Sequence, residues 1–451
     1  MRRRAGGRLL ARATAAVLLA ALAVAGAACR RPAPATRDVV LISLDALRAD
    51  RLGAYGYSLP TSPFLDHLAA RGLTFERAFV NTHGTTPSHT TLLSGLYQEN
   101  HGVGLAGSRG GVVATAIPPG VPWLPELLRA RGYQTIGVTD GGNIGRRFGF
   151  ARGFDRFDDR GGGLRRGARR LLAEVQRARR ADPRRPLFLF LHTYQVHSPY
   201  HPPADLRRLF GVPADVRQAS SRFLVAHASD AAALPPGVQA TLSSLYDADI
   251  RHTDDLLREL FADLAGEGLL AHALVVVTAD HGEEFGEHGG LLHRDLLYDE
   301  LLHVPLLLAA PGIAPARVGG LVSTVDVAPT ILAWAGAPAP PGLPGRDLLR
   351  AAGQRRALVL AQYGRERYCV RTAEWKLIVS DGRAELYDLR RDPREQRDVA
   401  ASHADVRQRL AAALGAWQAE RRAQGTAPAG RAVELPAEER AQLRALGYLR
   451  H

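Results

Sequence analysis

Residues 38–50 read DVVLISLDALRAD, a mostly apolar run that reaches an acid, Asp45, before a short polar turn. The same pattern returns at YQTIGVTD (133–140), PLFLFLHTY (186–194) and ALVVVTADHGEE (273–284), and each run finishes on polar residues. Nearly continuous apolar strands are typical of a parallel sheet that is buried on both faces. These runs therefore predict the central strands of one mainly parallel sheet.

Helix-like segments separate the strand-like runs. Apolar residues recur at helical spacing in TSPFLDHLAARG (61–72) and in DIRHTDDLLRELFADLAGEG (249–268). Strands that alternate with helices predict an α/β fold, in which helices sandwich the sheet and ligands bind beyond the carboxyl ends of the strands. Asp45, His192 and the pair Asp280–His281 all fall at such ends.

The 451 residues exceed what one core usually organises, so we expect a second, smaller domain. The texture changes after APAPPGLPG (337–345), where shorter alternating runs and then a helical segment predict an antiparallel α+β unit. We divide the chain into a signal peptide (1–28), a linker (29–37), a main α/β domain (38–348) and a C-terminal α+β subdomain (349–451).

The first 28 residues have the pattern of a secretory signal. Five arginines and no acid precede the small-residue exit AGAAC (25–29), and the apolar run at 13–25 is too short for a stable membrane span. Cys29 stands where a bacterial lipoprotein is cleaved and acylated, although Gly26 occupies the usual leucine position. We expect export to the periplasm or cell envelope, and the sequence leaves open whether Cys29 tethers the chain to a membrane.

The formal net charge of +13 does not indicate a nucleic-acid partner. A chain that starts at Cys29 carries +8, and its arginines are scattered among acids instead of forming a stripe with aromatic residues. Cys369 is the second cysteine; it either pairs with an unlipidated Cys29 or is a partly buried thiol. Because no CxxC pair exists, a cysteine zinc site is excluded. Nothing in the sequence indicates an oligomeric state.

Asp280 and His281 come directly after an apolar strand and before Gly282, so both side chains emerge where the backbone turns. A carboxylate beside an imidazole forms half of a divalent-metal site, and Asp45 at another strand end would complete it. A single strand-end aspartate is more often a helix cap. Three strand ends with Asp, His or Thr favour the metal site.

Seven blocks resemble, in their order and approximate spacing, the sulfatase family of the alkaline phosphatase superfamily. The likeness runs from about Asp38 to Asp398 and implies a sulfatase-like catalytic domain acting on an anionic phosphate or sulfate ester. The blocks are DVVLISLDALRADRLGAYGY (38–57), TTPSHTTLLSGL (85–96), HTYQVHSPYHPP (192–203), YDADIRHTDDLL (246–257), VVVTADHGEEFGEHGGLLH (275–293), VDVAPTILAWAG (325–336) and AELYDLRRDPRE (384–395).

The family's catalytic block begins with a Cys or Ser that is oxidised to formylglycine, and an Arg ends its Cys-x-Pro-Ser-Arg pattern. The corresponding stretch here is TTPSH, with Thr85 first and His89 in the arginine position. A secondary alcohol cannot be oxidised to an aldehyde, so Thr85 cannot become formylglycine. It resembles instead the threonine nucleophile of relatives such as nucleotide pyrophosphatase/phosphodiesterases and lipoteichoic acid synthases.

The resemblance therefore implies that Thr85 attacks the ester while coordinated to one divalent metal, which lowers the pKa of its hydroxyl. The metal ligands would be Asp45, Thr85, Asp280 and His281. The other hydroxyls of this stretch, such as Ser88, are expected to be caps and turn residues of a helix whose amino end faces the ester oxygens.

His197 and His293 resemble the family's His and Lys and would donate hydrogen bonds to the leaving oxygen. Arg48 resembles an anion-contacting arginine, with a surface ion pair as the alternative. His89 is expected to bond the helix start. Three further residues are expected to be structural: His192, His288 and Lys376.

One metal is preferred to two. His197, His288 and His293 are candidates for a second site, but the aspartate that two-metal relatives add is not evident. Oxygen ligands with one imidazole suit Mn²⁺, Zn²⁺ or Mg²⁺. Calcium is less favoured, because His281 stands where calcium-binding sulfatases have Asn.

Three functions remain open. The first is an exported metal-dependent hydrolase or transferase that acts on phosphate esters or diesters through a covalent Thr85 ester. The second is a sulfatase that works without formylglycine. The third is a family member that binds an anionic glycan or lipid head group without turnover, although retention of Asp45, Asp280 and His281 argues against it.

Overall fold

The structure is a computed structural model, and it describes residues 37–104, 115–213, 216, 220–351, 356–428, 430–434, 436, 437 and 440. The predicted signal peptide and Cys29 lie outside the described residues. None of the described helices combines the length and the apolar character that crossing a bilayer requires.

The described strands form an eight-stranded main sheet, a two-stranded hairpin and a four-stranded C-terminal sheet. In chain order they are β1 (Asp38–Leu44), β2 (Leu73–Phe79), β3 (Gln134–Val138), β4 (Arg156–Asp158), β5 (Leu187–Thr193), β6 (Ala273–Thr278), β7 (Glu284–Phe285), β8 (Leu291–Leu292), β9 (Leu306–Ala309), β10 (Ala316–Ser323), β11 (Val359–Tyr363), β12 (Arg367–Arg371), β13 (Trp375–Ser380) and β14 (Arg383–Asp388).

The described helices alternate with these strands. They are α1 (Pro63–Ala69), α2 (Thr85–Ser94), α3 (Gln98–His101), α4 (Leu124–Ala130), α5 (Leu164–Ala181), α6 (Ala204–Leu209), α7 (Ser221–Ala226), α8 (Val238–Gly266), α9 (Asp299–Leu302), α10 (Val327–Trp334), α11 (Leu348–Ala351) and α12 (Ala404–Gln424). Short 3₁₀ turns add Ala49–Arg51, Gly53–Tyr55, Gly142–Ile144, Arg146–Phe148, Ala231–Ala233, Leu269–Ala271 and Thr324–Asp326.

The main sheet has the strand order β10-β2-β9-β6-β1-β5-β3-β4. Among its strands only β9 runs antiparallel, to β2 on one side and β6 on the other. The predicted mainly parallel α/β sheet is therefore confirmed. Every residue of β1, β5 and β6 is buried, as expected for central strands covered on both faces.

Alternating residues of β1 enter two separate cores. Val40 and Ile42 pack on one face with α5 and α8, whereas Val39 and Leu41 pack on the other face with α2, α4 and α10. This is the period of two that a strand imposes on its side chains. The helix predicted at 249–268 begins eleven residues earlier, at Val238, because residues such as Leu242 and Leu245 extend its buried face.

The C-terminal sheet pairs β11, β12, β13 and β14 antiparallel in sequence order. Helix α12 covers one face of it through Leu410, Leu414 and Trp417, so the predicted antiparallel sheet followed by a helix is confirmed. Cys369 on β12 is a buried free thiol, 2% exposed. Its predicted alternative, a disulfide with Cys29, involves a residue outside the described ranges.

Strand register brings the candidate site together. Strand β1 lies between β6 and β5, and Ser43 pairs with Thr278 on one side and with His192 on the other. Asp45 and Asp280 each follow these aligned positions by two residues, so they leave the sheet side by side at its carboxyl edge.

Candidate active site

Asp45, Asp280 and His281 form what we call the strand-end cluster. One ligand atom from each lies within 4.8 Å of the other two, and all three side chains are buried. The structure thus brings together three of the four predicted metal ligands, which lie at the carboxyl ends of β1 and β6. Residue types and spacing of this kind suit a divalent cation.

The backbone turns sharply beside this cluster. Ala46 adopts a left-handed conformation with φ of 60°, and its N–H points to Asp280 Oδ1 at 3.3 Å. Gly282 follows His281, and a Cβ atom at that position would lie 1.9 Å from the carbonyl oxygen of Glu300. Only glycine fits there without displacing the neighbouring backbone.

The two acids of the strand-end cluster lack a cationic partner among the described residues. Asp45 Oδ1 and Asp280 Oδ2 are buried and have no hydrogen-bond partner. Burial raises the pKa of both carboxyls, and Asp280 raises the pKa of Asp45 further. A divalent cation at this place would favour the ionised forms and use both orphaned oxygens, so the donor set fits a metal ion.

His281 is oriented as a neutral ligand. Its Nδ1 donates a hydrogen bond to the carbonyl oxygen of Gly282 at 2.8 Å, which leaves the lone pair on Nε2. Nε2 lies 3.6 Å from Asp45 Oδ1 and 3.4 Å from Asp280 Oδ2. Burial lowers the pKa of His281 to about 3, so the imidazole is uncharged at neutral pH.

Thr85 is the first residue of α2, and its hydroxyl faces the strand-end cluster. Thr85 Oγ1 lies 3.5 Å from His281 Nε2, and the residue is 2% exposed. Pro87 falls in the first turn, as predicted. The fourth predicted ligand is therefore adjacent to the other three, and the amino end of a ten-residue helix starts at the nucleophile position.

The prediction that the neighbouring hydroxyls are caps and turn residues is wrong for the N-cap of α2 but holds at its other end, where Ser94 Oγ accepts a hydrogen bond from Leu96 N at 3.1 Å. The N-cap is Gly84, which has no side chain to donate or accept. Ser88 Oγ donates instead to the carbonyl oxygen of Asp280 at 2.7 Å, and Thr90 Oγ1 donates to the carbonyl oxygen of Thr86. Because the helix already begins at Thr85, its later hydroxyls bond within the helix or to other segments, as Thr86 Oγ1 does to the carbonyl oxygen of Asn143 at 3.0 Å.

His89 bonds the helix start, as predicted. Its Nδ1 donates to the carbonyl oxygen of Thr85 at 2.8 Å, and its Nε2 accepts from Ser43 Oγ at 2.9 Å. His192, predicted to be structural, contacts the cluster directly, with Nε2 3.1 Å from Asp45 Oδ2. Burial lowers the pKa of both imidazoles.

His197 and His293 form a close imidazole pair with Nε2 atoms 3.0 Å apart. His197 Nδ1 donates to the carbonyl oxygen of Ser198 at 2.6 Å, so the proton between the two rings belongs to His293 when both rings are neutral. Burial lowers the pKa of His197 to about 3 and also lowers that of His293. The ring centroids of His293 and His281 are 4.5 Å apart, which places the pair beside the cluster.

Arg48 is buried and forms ion pairs, which was its alternative role. Its Nη2 lies 2.7 Å from Asp50 Oδ2, and its Nη1 lies 2.6 Å from Glu287 Oε1 and 2.8 Å from the carbonyl oxygen of Glu283. Contact with a substrate anion stays a prediction, and it would require some of these bonds to open. Arg48 itself is only 5% exposed, whereas the side chains of Asp50 and Glu287 reach solvent with 54% and 28% of their area exposed.

Two residues have the structural roles that were predicted for them. His288 Nδ1 lies 2.5 Å from Glu300 Oε1, and its ring stacks on Tyr298. Lys376 Nζ lies 2.7 Å from both Asp299 Oδ1 and Glu395 Oε1. His288 is therefore engaged away from the strand-end cluster.

Sequence reasoning missed three residues that shape the site: Ser43, Ala46 and Ser88. Ser43 positions His89, Ala46 bonds Asp280, and Ser88 holds the backbone of Asp280. Small residues of this kind carry no chemical signal of their own. Only the alternation along β1, with even residues in one core, could have suggested that Ser43 faces α2.

Comparison with known proteins gives consistent results. The sulfatase family model matches residues 37–337, and the model of the N-sulphoglucosamine sulphohydrolase C-terminal region matches residues 286–420. Arylsulfatase K of Bos taurus is 34% identical over 186 residues, which are 37% of this chain and 34% of that protein. Arylsulfatase K of Mus musculus is 26% identical over an alignment of 484 residues that spans 86% of this chain and 82% of that one.

Among solved structures, the phosphonate monoester hydrolase of Agrobacterium radiobacter has a similar fold, with a TM-score of 0.70 at 22% identity over 85% of this chain and 96% of that chain. The family model covers most of the main sheet and every residue of the strand-end cluster. The chain therefore belongs to the sulfatase family.

Proposed function

We propose that this chain is a metal-dependent hydrolase or transferase of anionic esters, with Thr85 as the nucleophile and phosphate esters or diesters as preferred substrates. The observation that carries the proposal is the position of Thr85 Oγ1, 3.5 Å from His281 Nε2 at the amino end of α2. A buried hydroxyl beside two acids that lack a cation is arranged for activation by a metal ion.

Asp45, Asp280 and His281 would hold the cation with Thr85, and Mn²⁺, Zn²⁺ or Mg²⁺ suit this donor set better than Ca²⁺. Such a cation, when bound, lowers the pKa of a coordinated hydroxyl and offsets the charge of an anionic ester. We prefer a single ion, because His197 and His293 are hydrogen-bonded to each other in this structure.

The remaining groups serve the ester and its leaving group. Thr85 Oγ1 forms the new bond to phosphorus while the bond to the departing alcohol breaks. The first backbone N–H groups of α2 face the ester oxygens. His293 Nε2 holds a proton within reach of His197, and this pair donates it to the departing oxygen.

Threonine favours phosphorus over sulfur for a chemical reason. A phosphothreonine can be resolved by water or a second alcohol that attacks phosphorus. A sulfothreonine lacks the hemiacetal hydroxyl through which formylglycine releases sulfate. The fold also carries phosphorus chemistry in the phosphonate monoester hydrolase of Agrobacterium radiobacter.

Sulfate ester hydrolysis is the second candidate, and the names of the relatives favour it. Two of them are arylsulfatase K of Bos taurus and of Mus musculus, and a third is a delta 4,5-hexuronate-2-O-sulfatase of Bacteroides thetaiotaomicron. In this case Thr85 would act directly or would position a water molecule. A binder without turnover is the remaining alternative.

One experiment separates these candidates. Purified wild-type chain is assayed with 4-nitrophenyl phosphate, bis(4-nitrophenyl) phosphate and 4-nitrophenyl sulfate, and the metal content is measured after native purification. We expect faster turnover of a phosphate substrate and a bound divalent ion. Faster turnover of the sulfate ester would contradict the phosphate preference, and absence of both metal and turnover would support the binder.

Thr85→Ala is expected to lower kcat by at least about 10⁴-fold, because a lost nucleophile is not replaced by its neighbours. Thr85→Ser keeps a hydroxyl and is the matched control. Acid quench during turnover, followed by mass measurement of the peptide that carries Thr85, should reveal the covalent ester. Full activity of Thr85→Ala would remove this role.

We also propose that the chain is exported, with a lipid anchor on Cys29 as an open alternative that Cys29→Ser tests. The basic, apolar and small-residue order of the first 29 residues supports this. Cys29→Ser should move the exported chain from the membrane fraction to the soluble fraction. An unchanged distribution would show that Cys29 is not the tether.

A further inference from the structure

His83 lies two residues before Thr85 and has unused hydrogen-bonding capacity. It is 1% exposed, and neither Nδ1 nor Nε2 has a hydrogen-bond partner in another residue of the described chain. Buried polar side chains nearly always have a partner, so each orphaned group requires an explanation. The proposed nucleophile is two residues away, which points to a bound molecule as the missing partner.

The ring of His83 is fixed by the C-terminal sheet. It stacks on Tyr363, the last residue of β11, with ring centroids 4.4 Å apart and planes inclined by 8°. Face-to-face packing covers one face of the imidazole and leaves the nitrogens at its edge. The stack therefore sets the plane of the ring without using its donor or acceptor.

Two hydrogen-bonding contacts hold this part of the chain against β11. Gln362 N donates to the carbonyl oxygen of Asn81 at 2.8 Å, and Asn81 Nδ2 donates to the carbonyl oxygen of Leu360 at 2.7 Å. One partner of each bond is on β11, the strand that carries Tyr363. The other partner is Asn81, two residues before His83. The loop that leads to Thr85 is consequently clamped to the edge of the second sheet.

The chemical neighbours of His83 belong to the candidate site. The imidazoles of His293 and His281 lie close enough to act on it electrostatically. His293 is one of the two groups placed at the leaving oxygen in the proposed function, on which the present inference rests. A hydrogen-bond donor from His83 on this side would therefore act at the departing alcohol.

We propose that His83 is a substrate-contacting residue, whose ring is set by Tyr363 so that an edge nitrogen donates a hydrogen bond to the leaving oxygen of the ester. Tyr363 is then a positioning residue, which acts through His83. The C-terminal sheet contributes in this way to the reaction itself.

The test is the dependence of the rate on the leaving group. A series of aryl phosphates, from 4-nitrophenyl to phenyl phosphate, is hydrolysed by wild type and by His83→Phe, which keeps a ring for the stack but removes both nitrogens. We expect kcat/KM to fall about ten- to hundredfold for phenyl phosphate and less than about threefold for the nitrophenyl ester. The effect grows along the series because a poor leaving group needs the donor most.

Tyr363 supplies the second pair of variants. Tyr363→Leu should steepen the leaving-group dependence in the same direction but less than His83→Phe, whereas Tyr363→Phe, which keeps the ring, should retain the wild-type slope. If His83→Phe does not fold, as judged by circular dichroism, Tyr363→Leu carries the test alone. A loss that is equal for every leaving group, or no loss, would overturn the proposal.

Failure of the proposed function gives a different result. If wild type hydrolyses only sulfate esters, the phosphate preference is lost, and the same series of aryl sulfates tests His83. If wild type hydrolyses neither class, binding of phenyl phosphate is measured by calorimetry, and an affinity that His83→Phe leaves unchanged overturns the contact.

Discussion

The molecule contains two buried groups of charged residues, and they differ in whether cationic side chains balance their acids. The strand-end cluster joins Asp45 and Asp280 to one neutral imidazole, His281. What we call the sheet-junction cluster lies where α9 meets the C-terminal sheet, and its members neutralise one another. They are Arg371, Lys376, Asp299 and Glu395.

Asp299 responds in the opposite direction to the strand-end acids, whereas Glu395 responds as they do, because burial raises its pKa to about 7. Burial would raise the pKa of Asp299, but Arg371 and Lys376 hold it well below its ordinary value. In the strand-end cluster burial raises the pKa of Asp45 and Asp280, and no lysine or arginine compensates. This contrast between the two groups of acids supports the proposal that the strand-end cluster binds a cation.

Between the two clusters, the larger effect on activity is expected from Asp280→Asn, which removes one acid from the strand-end cluster. Activity should fall by at least about 10³-fold together with the bound metal, because one of the two carboxylate ligands loses its charge. The metal-free variant should be as stable as metal-free wild type or more so, since a buried unpaired carboxyl is gone. Initial rates, metal analysis and thermal unfolding in chelator measure this, and a less stable apo variant would contradict the contrast.

Lys376→Met tests the sheet-junction cluster. Among the described residues Lys376 is the cation that bonds both Asp299 and Glu395. Its loss leaves buried charge uncompensated and should lower the free energy of unfolding by about 3–5 kcal/mol. Denaturant titration measures the change. Arg390→Met, at an exposed ion pair with Glu374, is the control and should cost at most about 1 kcal/mol. Equal effects would mean that the sheet-junction cluster is not structural.

The pH dependence of stability should differ in sign between the strand-end acids and Asp299, while Glu395 acts in the same direction as the strand-end acids. Asp45 and Asp280 have raised folded pKa values, so their contribution is complete below the ordinary value of 3.8 and is lost as pH rises. Asp299 has a lowered pKa, so its contribution is present above 3.8 and is lost as pH falls.

Chelated wild type should therefore lose stability as the pH rises above the ordinary aspartate value of 3.8. Glu283, whose pKa burial raises to about 8, acts in the same direction, so the comparison with Asp280→Asn isolates the cluster. We expect a flatter profile for that variant and a reduced fall for metal-saturated wild type. Identical thermal-unfolding profiles with and without metal would argue against a cation at this place.

The sheet and the strand-end cluster could be predicted because their signals are local. Buried parallel strands must be apolar along their length, and an acid that ends such a run is conspicuous. The sequence pattern alone identifies Asp45 and Asp280, without information on their separation in space. The strand order placed β6 next to β1, which no local pattern specifies.

The rest depended on contacts between distant segments. Ala46 takes a left-handed conformation without being glycine, Tyr363 of β11 stacks on His83 of the loop before α2, and Arg48 forms an ion pair with Glu287. Sequence patterns indicate which side of a helix or strand is apolar, but not which distant residue contacts that side. The N-cap prediction for α2 was wrong for a related reason, since the helix began earlier than its hydroxyls suggested.

Gly282 packs tightly against the carbonyl oxygen of Glu300, and this contact connects the strand-end cluster to a more distant part of the chain. Glu300 follows Asp299, whose carboxylate is bound by Lys376 of the C-terminal sheet. The backbone at Asp299 and Glu300 is therefore in contact with both the turn after β6 and the C-terminal sheet. We expect a chain truncated before β11 to lose affinity for the proposed metal ion while it keeps much of its secondary structure. On this expectation the C-terminal sheet is required for metal binding.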